Sequence, residues 1–96
     1  MRPSEALRQH REEIRRIIES LRATNPRVFG SVIYGEDVEG SDLDILVDPT
    51  PETSIFDIGE MRYQLRTLLG VPVDVLTPKA LHERVRERVI AEAQPV

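Results

Sequence analysis

Hydrophobic positions along the chain change period four times, and each change marks an element. From about Pro3 to Thr24, Leu7, Ile14, Ile17, Ile18 and Leu21 recur at helical spacing with arginines and glutamates between them. Asn25-Pro26 is expected to end this helix, because the residue before proline is pushed out of the α region. Val28 and Phe29 then begin a short strand that meets Gly30-Ser31, Val32 to Gly35 fits one helical turn, and Glu36 to Gly40 is an acidic loop. Asp42 to Val47 alternates with a period of two, with Leu43, Ile45 and Val47 on one face and Asp42 and Asp44 on the other. Asp48-Pro49-Thr50-Pro51 reads as a turn.

Ser54 suits the N-cap of a second long helix that Gly70 ends at C′. Ile55, Ile58, Met61, Leu65, Leu68 and Leu69 form its stripe. Val71 to Leu76 is a third strand, with Val71, Val73 and Val75 on one face and Asp74 on the other. Thr77-Pro78 opens a last helix, running to about Ala93, with Leu81, Val85, Val89 and Ile90 inward. The order α-β-(α)-β-α-β-α predicts an α/β fold: a small mixed sheet with helices packed on one face.

Length and charge narrow the function. A chain of 96 residues predicts one domain, residues 1–96. A domain of this size buries only about 60–65 % of its unfolded surface, so a partner or a homo-oligomer would stabilise it. The chain is 40 % hydrophobic and 31 % charged, an ordinary globular balance, and its net charge of −4 argues against nucleic acid as a direct partner. With no cysteine, disulfides and thiolate metal sites are excluded. No apolar run approaches the roughly 20 residues that span a bilayer, and the N-terminus is not signal-like, so the expected location is cytoplasmic.

Three aspartates carry the candidate chemistry. Asp42 and Asp44 project to one side of their strand, and Asp74 reaches the same patch if its strand lies alongside. Carboxylates this close repel by about 4 kcal/mol per pair at 4 Å and an effective dielectric of 20, so they need a proton or a cation. Oxygen-only ligands favour magnesium or manganese and leave coordination positions for phosphate oxygens. Two such ions can activate a hydroxyl and hold a leaving pyrophosphate. Upstream, Gly30-Ser31 follows a strand and opens a short helix, where backbone N–H groups favour a phosphate. Ser41 adds a hydroxyl directly before Asp42. Each signal has an ordinary alternative: a Gly-Ser turn, a solvated Asp-x-Asp strand end, an outward-facing Asp74. His10 and His82 read as surface residues, Gly35 and Gly40 as turn formers, and Glu36, Asp37 and Glu39 as a solvated loop.

In combination the motifs are specific. Gly30-Ser31, ten intervening residues, Asp42-Leu43-Asp44 and a later Val73-Asp74-Val75 resemble the DNA polymerase β-like nucleotidyltransferase superfamily. The resemblance is nearer to its minimal members, the MNT antitoxins found beside HEPN toxins, and it covers essentially the whole chain. It implies a polymerase β palm-like core that binds ATP through Gly30 and Ser31, with Ser41 assisting. Asp42 and Asp44 would hold two magnesium ions (or manganese), with Asp74 on the catalytic one, where it can take the acceptor's proton. It further implies AMP transfer to a tyrosine of a HEPN-type ribonuclease toxin, silencing it. One departure is Tyr34, where many relatives have arginine before the glycine; Arg62 and Arg66 are candidates to supply that charge. Tyr34 favours a second reading, an antitoxin that neutralises by docking with a weak site. Transfer to a small molecule is disfavoured, because 96 residues leave no substrate domain.

Overall fold

The computed structural model describes every residue from Met1 to Val96. Helix α1 spans Pro3–Ser20, strand β1 Ala23–Phe29, a 3-10 turn Gly30–Tyr34, strand β2 Leu43–Pro49 and helix α2 Ile55–Leu69. Strand β3 spans Val73–Leu76, a second 3-10 turn Pro78–Ala80, helix α3 Glu83–Glu92 and strand β4 Gln94–Pro95. The sheet order is β3-β2-β1-β4; β2 and β3 run parallel, and β1 is antiparallel to both β2 and β4. A mixed α/β sheet is therefore present, as the alternation of helices and strands predicts.

The core lies between one sheet face and two helices. Leu7, Ile14 and Ile18 from α1 and Met61, Leu65 and Leu69 from α2 meet Leu43, Ile45 and Val47 of β2 and Val73 and Val75 of β3. All three β2 residues are fully buried. Alternation places Asp44 and Asp74 on the other face. Leu46 shares that parity yet is also fully buried, outside the main cluster, where the Pro78–Ala80 turn packs against β2. The second face is thus apolar at Leu46 and acidic at Asp44.

Several boundaries differ from the sequence reading. Helix α1 stops at Ser20 rather than Thr24, because Arg22 adopts a left-handed conformation (φ 70°) and Ala23 turns into the sheet. Arg22 lacks glycine's freedom there. Its guanidinium grips both Asp57 oxygens, and its carbonyl accepts from the Thr50 and Thr53 hydroxyls, which offsets the backbone cost. Asn25-Pro26 does not end a helix; it forms a bulge inside β1, where a missing N–H is tolerated. Asp48 and Pro49 extend β2 instead of turning, with Asp48 paired to Arg27 at 2.6 Å.

Helix α2 matches the expected span closely. Ser54 caps it in a reciprocal pair with Asp57 (3.2 and 2.9 Å), and Gly70 closes it at φ 67°. Its predicted stripe is buried only in part, since Ile55 is 82 % exposed. The last helix is shorter than Thr77-Pro78 suggests: Leu81 and His82 are extended, so α3 starts at Glu83. Leu81 is buried, Val85 and Val89 are half-buried and Ile90 is exposed, so α3 presents no fully buried face. No helix is long and apolar enough to cross a membrane.

Candidate active site

Strand register assembles the acidic site. Asp44 lies directly opposite Asp74 in the parallel β2–β3 pair and opposite Phe29 in the antiparallel β1–β2 pair. Neighbours in register point the same way, so Asp44 and Asp74 share a face. Asp42 precedes β2 by one residue and is exposed, whereas Asp44 and Asp74 are half-buried. Burial, then the nearby charge of Asp42, then that of Asp74 push the Asp44 carboxyl up to about 6. Asp44 is the carboxylate whose charge this site leaves uncompensated.

Gly30 is shaped by the same carboxylate. Its φ is 79°, and a Cβ added there would lie 2.7 Å from Asp44 Oδ2. Glycine is required at this corner both for the backbone and for the approach of Asp44. The segment after it is a five-residue 3-10 turn rather than an α-helix, so it contributes little dipole. Ser31 sits in that turn, half-buried, with its carbonyl accepting from the Glu36 N–H. Ser41 closes the following loop: its Oγ accepts from Val38 N–H at 3.0 Å, one residue before Asp42.

The acidic loop is less solvated than its composition suggests. Asp37 is 3 % exposed and accepts from Ser4 N–H at 2.9 Å, in the first turn of α1. The Ser4 N–H, as the largest cause, holds its carboxyl below the ordinary range. Glu39 pairs with the terminal ammonium of Met1 at 2.7 Å. Both contacts fasten the segment that leads to Asp42. Residues 33 positions apart give no local signal of this, and the sequence pattern missed it.

Asp74 is held by an arginine that the pattern assigned elsewhere. Its Oδ1 accepts from Arg62 Nε at 3.0 Å and from Val75 N–H at 2.9 Å. No three of the acidic or histidine side chains stand close enough in this arrangement to hold one ion between them. The donor chemistry nevertheless suits a hard divalent cation: the groups are all carboxylates, and the inner one is short of positive charge. Tyr34 brings no cation to the position after Ile33; its hydroxyl donates to Glu92 and ties the 3-10 turn to α3. Arg66 is also committed, donating to Val73 O at 2.9 Å. Beside Arg62 opens a cleft of about 370 Å³ between the N-terminus of α2 and the end of β3, lined by Ser54, Ile58, Leu76 and Thr77 among others.

These features match known proteins. Residues 7–96 fit the family described as the nucleotidyltransferase domain. The protein adenylyltransferase MntA of Thermococcus cleftensis is 35 % identical over 86 residues, covering 90 % of this chain and 84 % of that one. A Methanocaldococcus jannaschii protein provisionally named a protein adenylyltransferase is 39 % identical over 69 residues, 72 % of this chain and 74 % of its own. A solved structure described provisionally as a minimal nucleotidyltransferase superposes with a TM-score of 0.86 at 40 % identity, covering 97 % of this chain and 95 % of that one. A toxin–antitoxin structure with AMP-PNP shares the fold at 18 % identity, with a TM-score of 0.70 over 83 % of this chain and 66 % of that one. The half-buried aspartate pair on adjoining strands, the glycine corner against it and these matches agree, and the chain belongs to the nucleotidyltransferase domain family, among its minimal members, as a nucleotidyltransferase.

Proposed function

We propose that this protein is a cytoplasmic antitoxin that transfers AMP from ATP to a tyrosine hydroxyl of a partner HEPN-type ribonuclease toxin. The relatives named protein adenylyltransferase support the AMP donor chemistry. The similarity in fold to chains of solved toxin–antitoxin complexes supports a toxin as acceptor. The observation that carries the catalytic reading is Asp44, raised to about 6 between two further carboxylates and packed on Gly30. A carboxylate kept short of positive charge is a costly arrangement without a cation to bind.

Asp42 and Asp44 would hold two divalent cations, with Asp74 on one of them. Bound there, such ions neutralise phosphate charge and lower the pKa of an attacking hydroxyl. The Gly30 corner lets the triphosphate come near the backbone, and the Ser31 hydroxyl donates to it. Asp42 and Asp44 would fix the positions of those cations, and so where the α-phosphate can sit for in-line attack. The tyrosine oxygen forms the new bond to the α-phosphorus as the bond to the β-phosphate bridge breaks, and pyrophosphate leaves with its electron pair. Asp74, on the side of the incoming hydroxyl, accepts its proton.

A second reading is neutralisation by docking alone. It is favoured by Tyr34, tied to Glu92 where a cation would help, and by the open spacing of the three carboxylates. One experiment separates the two. The neighbouring toxin is co-expressed with wild type or with Asp42→Ala, Asp44→Ala, and its intact mass is measured. Mass increments of AMP with wild type only are expected. An unmodified toxin neutralised equally by both versions would leave docking as the function.

A further inference from the structure

Two arginines from one helix close the free edge of the sheet beside the site. β3 is an outer strand, paired only with β2, so alternate carbonyls point away from the ladder. Arg66 Nε donates to Val73 O and Arg62 Nη2 to Val75 O, each at 2.9 Å. Four residues of helix rise about 6 Å, close to the roughly 6.6 Å between alternate strand residues. One helix can therefore seal both carbonyls.

Arg62 does more than seal. Its Nε also donates to Asp74 Oδ1 at 3.0 Å, so one guanidinium spans a backbone carbonyl and a carboxylate. The planar fork of arginine makes the two bonds from separate, rigidly spaced nitrogens, a geometry that lysine's single nitrogen does not reproduce. Arg66 shows that edge closure needs the carbonyl bond alone. Asp44, in register beside Asp74, has no cation in contact. The site is thus asymmetric: one strand carboxylate is held by a fixed cation, and its neighbour is not.

We infer that Arg62 is a positioning residue for Asp74, fixing the direction of the third carboxylate and holding it apart from Asp42 and Asp44 until a divalent cation competes for it. This rests on the reading of Asp74 as a metal ligand. The helix–strand contact that closes the sheet edge then also sets how readily the acidic site fills. Arg62 needs no contact with substrate for this role.

The test is titration of the purified chain with Mn²⁺ alone, without nucleotide. Arg62→Met keeps the stem and removes the charge, and it should bind Mn²⁺ about three- to tenfold tighter, as expected for losing one partly screened cation beside the carboxylates. Arg62→Lys keeps the charge and loses the fork, so its Mn²⁺ affinity stays near wild type while kcat falls at least tenfold at nearly constant KM for ATP. Arg66→Met unseals Val73 O only; it lowers the melting temperature and leaves Mn²⁺ affinity unchanged. If Arg62→Met does not fold, Arg62→Gln, able to donate to Val75 O, should show the same tightening. Unchanged or weaker Mn²⁺ binding in a folded, charge-neutral variant overturns the positioning role. Asp74→Asn separates the two levels: if it leaves Mn²⁺ affinity intact, the assignment of Asp74 as a ligand fails, and if it weakens binding while Arg62→Met changes nothing, only the role of Arg62 fails.

Discussion

Asp57 and Asp44 are the same side chain in two parts of the molecule, and their proton affinities move in opposite directions. Asp57 lies in the first turn of α2, accepts from the Ser54 N–H and meets both arms of Arg22, and these partners hold it down to about 2. Asp44 lies mid-sheet, where burial and then the charges of Asp42 and Asp74 raise it to about 6. At the α1–α2 junction Arg22 and Asp57 match one another, so this pair serves the fold. At the site the mismatch is retained, which agrees with the proposed role of these carboxylates in receiving a cation. Burial raises both carboxyls; at Asp57 the bonds from Arg22 and Ser54 outweigh it, whereas at Asp44 it is the largest cause and the neighbouring carboxylates add to it.

Substitution at the two aspartates breaks this comparison most sharply. Asp44→Asn should lower AMP transfer on the order of 10³-fold or more, because ion-based charge stabilisation contributes several kcal/mol. The metal-free variant should melt no lower than wild type, since repulsion is relieved. Asp57→Asn should do the reverse: a melting temperature lower by several degrees, with transfer per folded molecule within about twofold of wild type. Thermal melts and a transfer assay on both variants check this. Equal losses of stability in the two would end the distinction.

Gly30 and Gly35 sharpen it further. Both have positive φ, 79° and 68°, but a Cβ at Gly35 meets nothing within 4 Å whereas one at Gly30 meets Asp44. Alanine at either position should cost about 1–2 kcal/mol of backbone strain, measurable by urea unfolding. Gly30→Ala alone should also lower transfer, by about ten- to a hundredfold, through displacement of Asp44. A Gly35→Ala variant as inactive as Gly30→Ala would mean that the turn, not the contact, matters.

The elements legible in the sequence are those whose signals are local. Ser54 and Gly70 mark α2 because capping depends on a few neighbouring residues, and Leu43, Ile45, Val73 and Val75 mark strands because their parity is set by the pleat. What the sequence hid depends on distant partners. A left-handed Arg22 is held by Asp57, Thr50 and Thr53, and without them nothing marks the end of α1. β4 is two residues, Gln94 and Pro95, too short for any period, and proline is tolerated there only because the strand is an edge. At the candidate site, the parity of Asp42, Asp44 and Asp74 was readable, and the Gly-Ser spacing added to it. The grip of Arg62 on Asp74 was not, because it requires knowing that α2 returns along the outer edge of β3.

The gentlest test uses protons. Asp44 has an ordinary value of 3.8 and a folded value of about 6, so between them the folded protein keeps a proton that the unfolded chain has released. Its contribution to stability is therefore full below about 4 and is lost as pH rises through 6. Asp57 behaves in the opposite sense: its contribution is present above about 4 and is lost as pH falls towards 2. The two windows barely overlap, and because Asp37, Glu5 and Glu39 are also held low, each aspartate is read from the difference between wild type and its own variant. Urea unfolding of the metal-free protein at pH 3, 5 and 7 (nominal settings, roughly spanning both windows) should show wild type losing ground to Asp44→Asn between the lowest and highest pH. The Asp57→Asn difference should instead shrink as the solution is acidified. Wild-type and Asp44→Asn profiles that run parallel throughout would mean Asp44 carries an ordinary proton affinity, and the charge deficit assigned to the site would not exist.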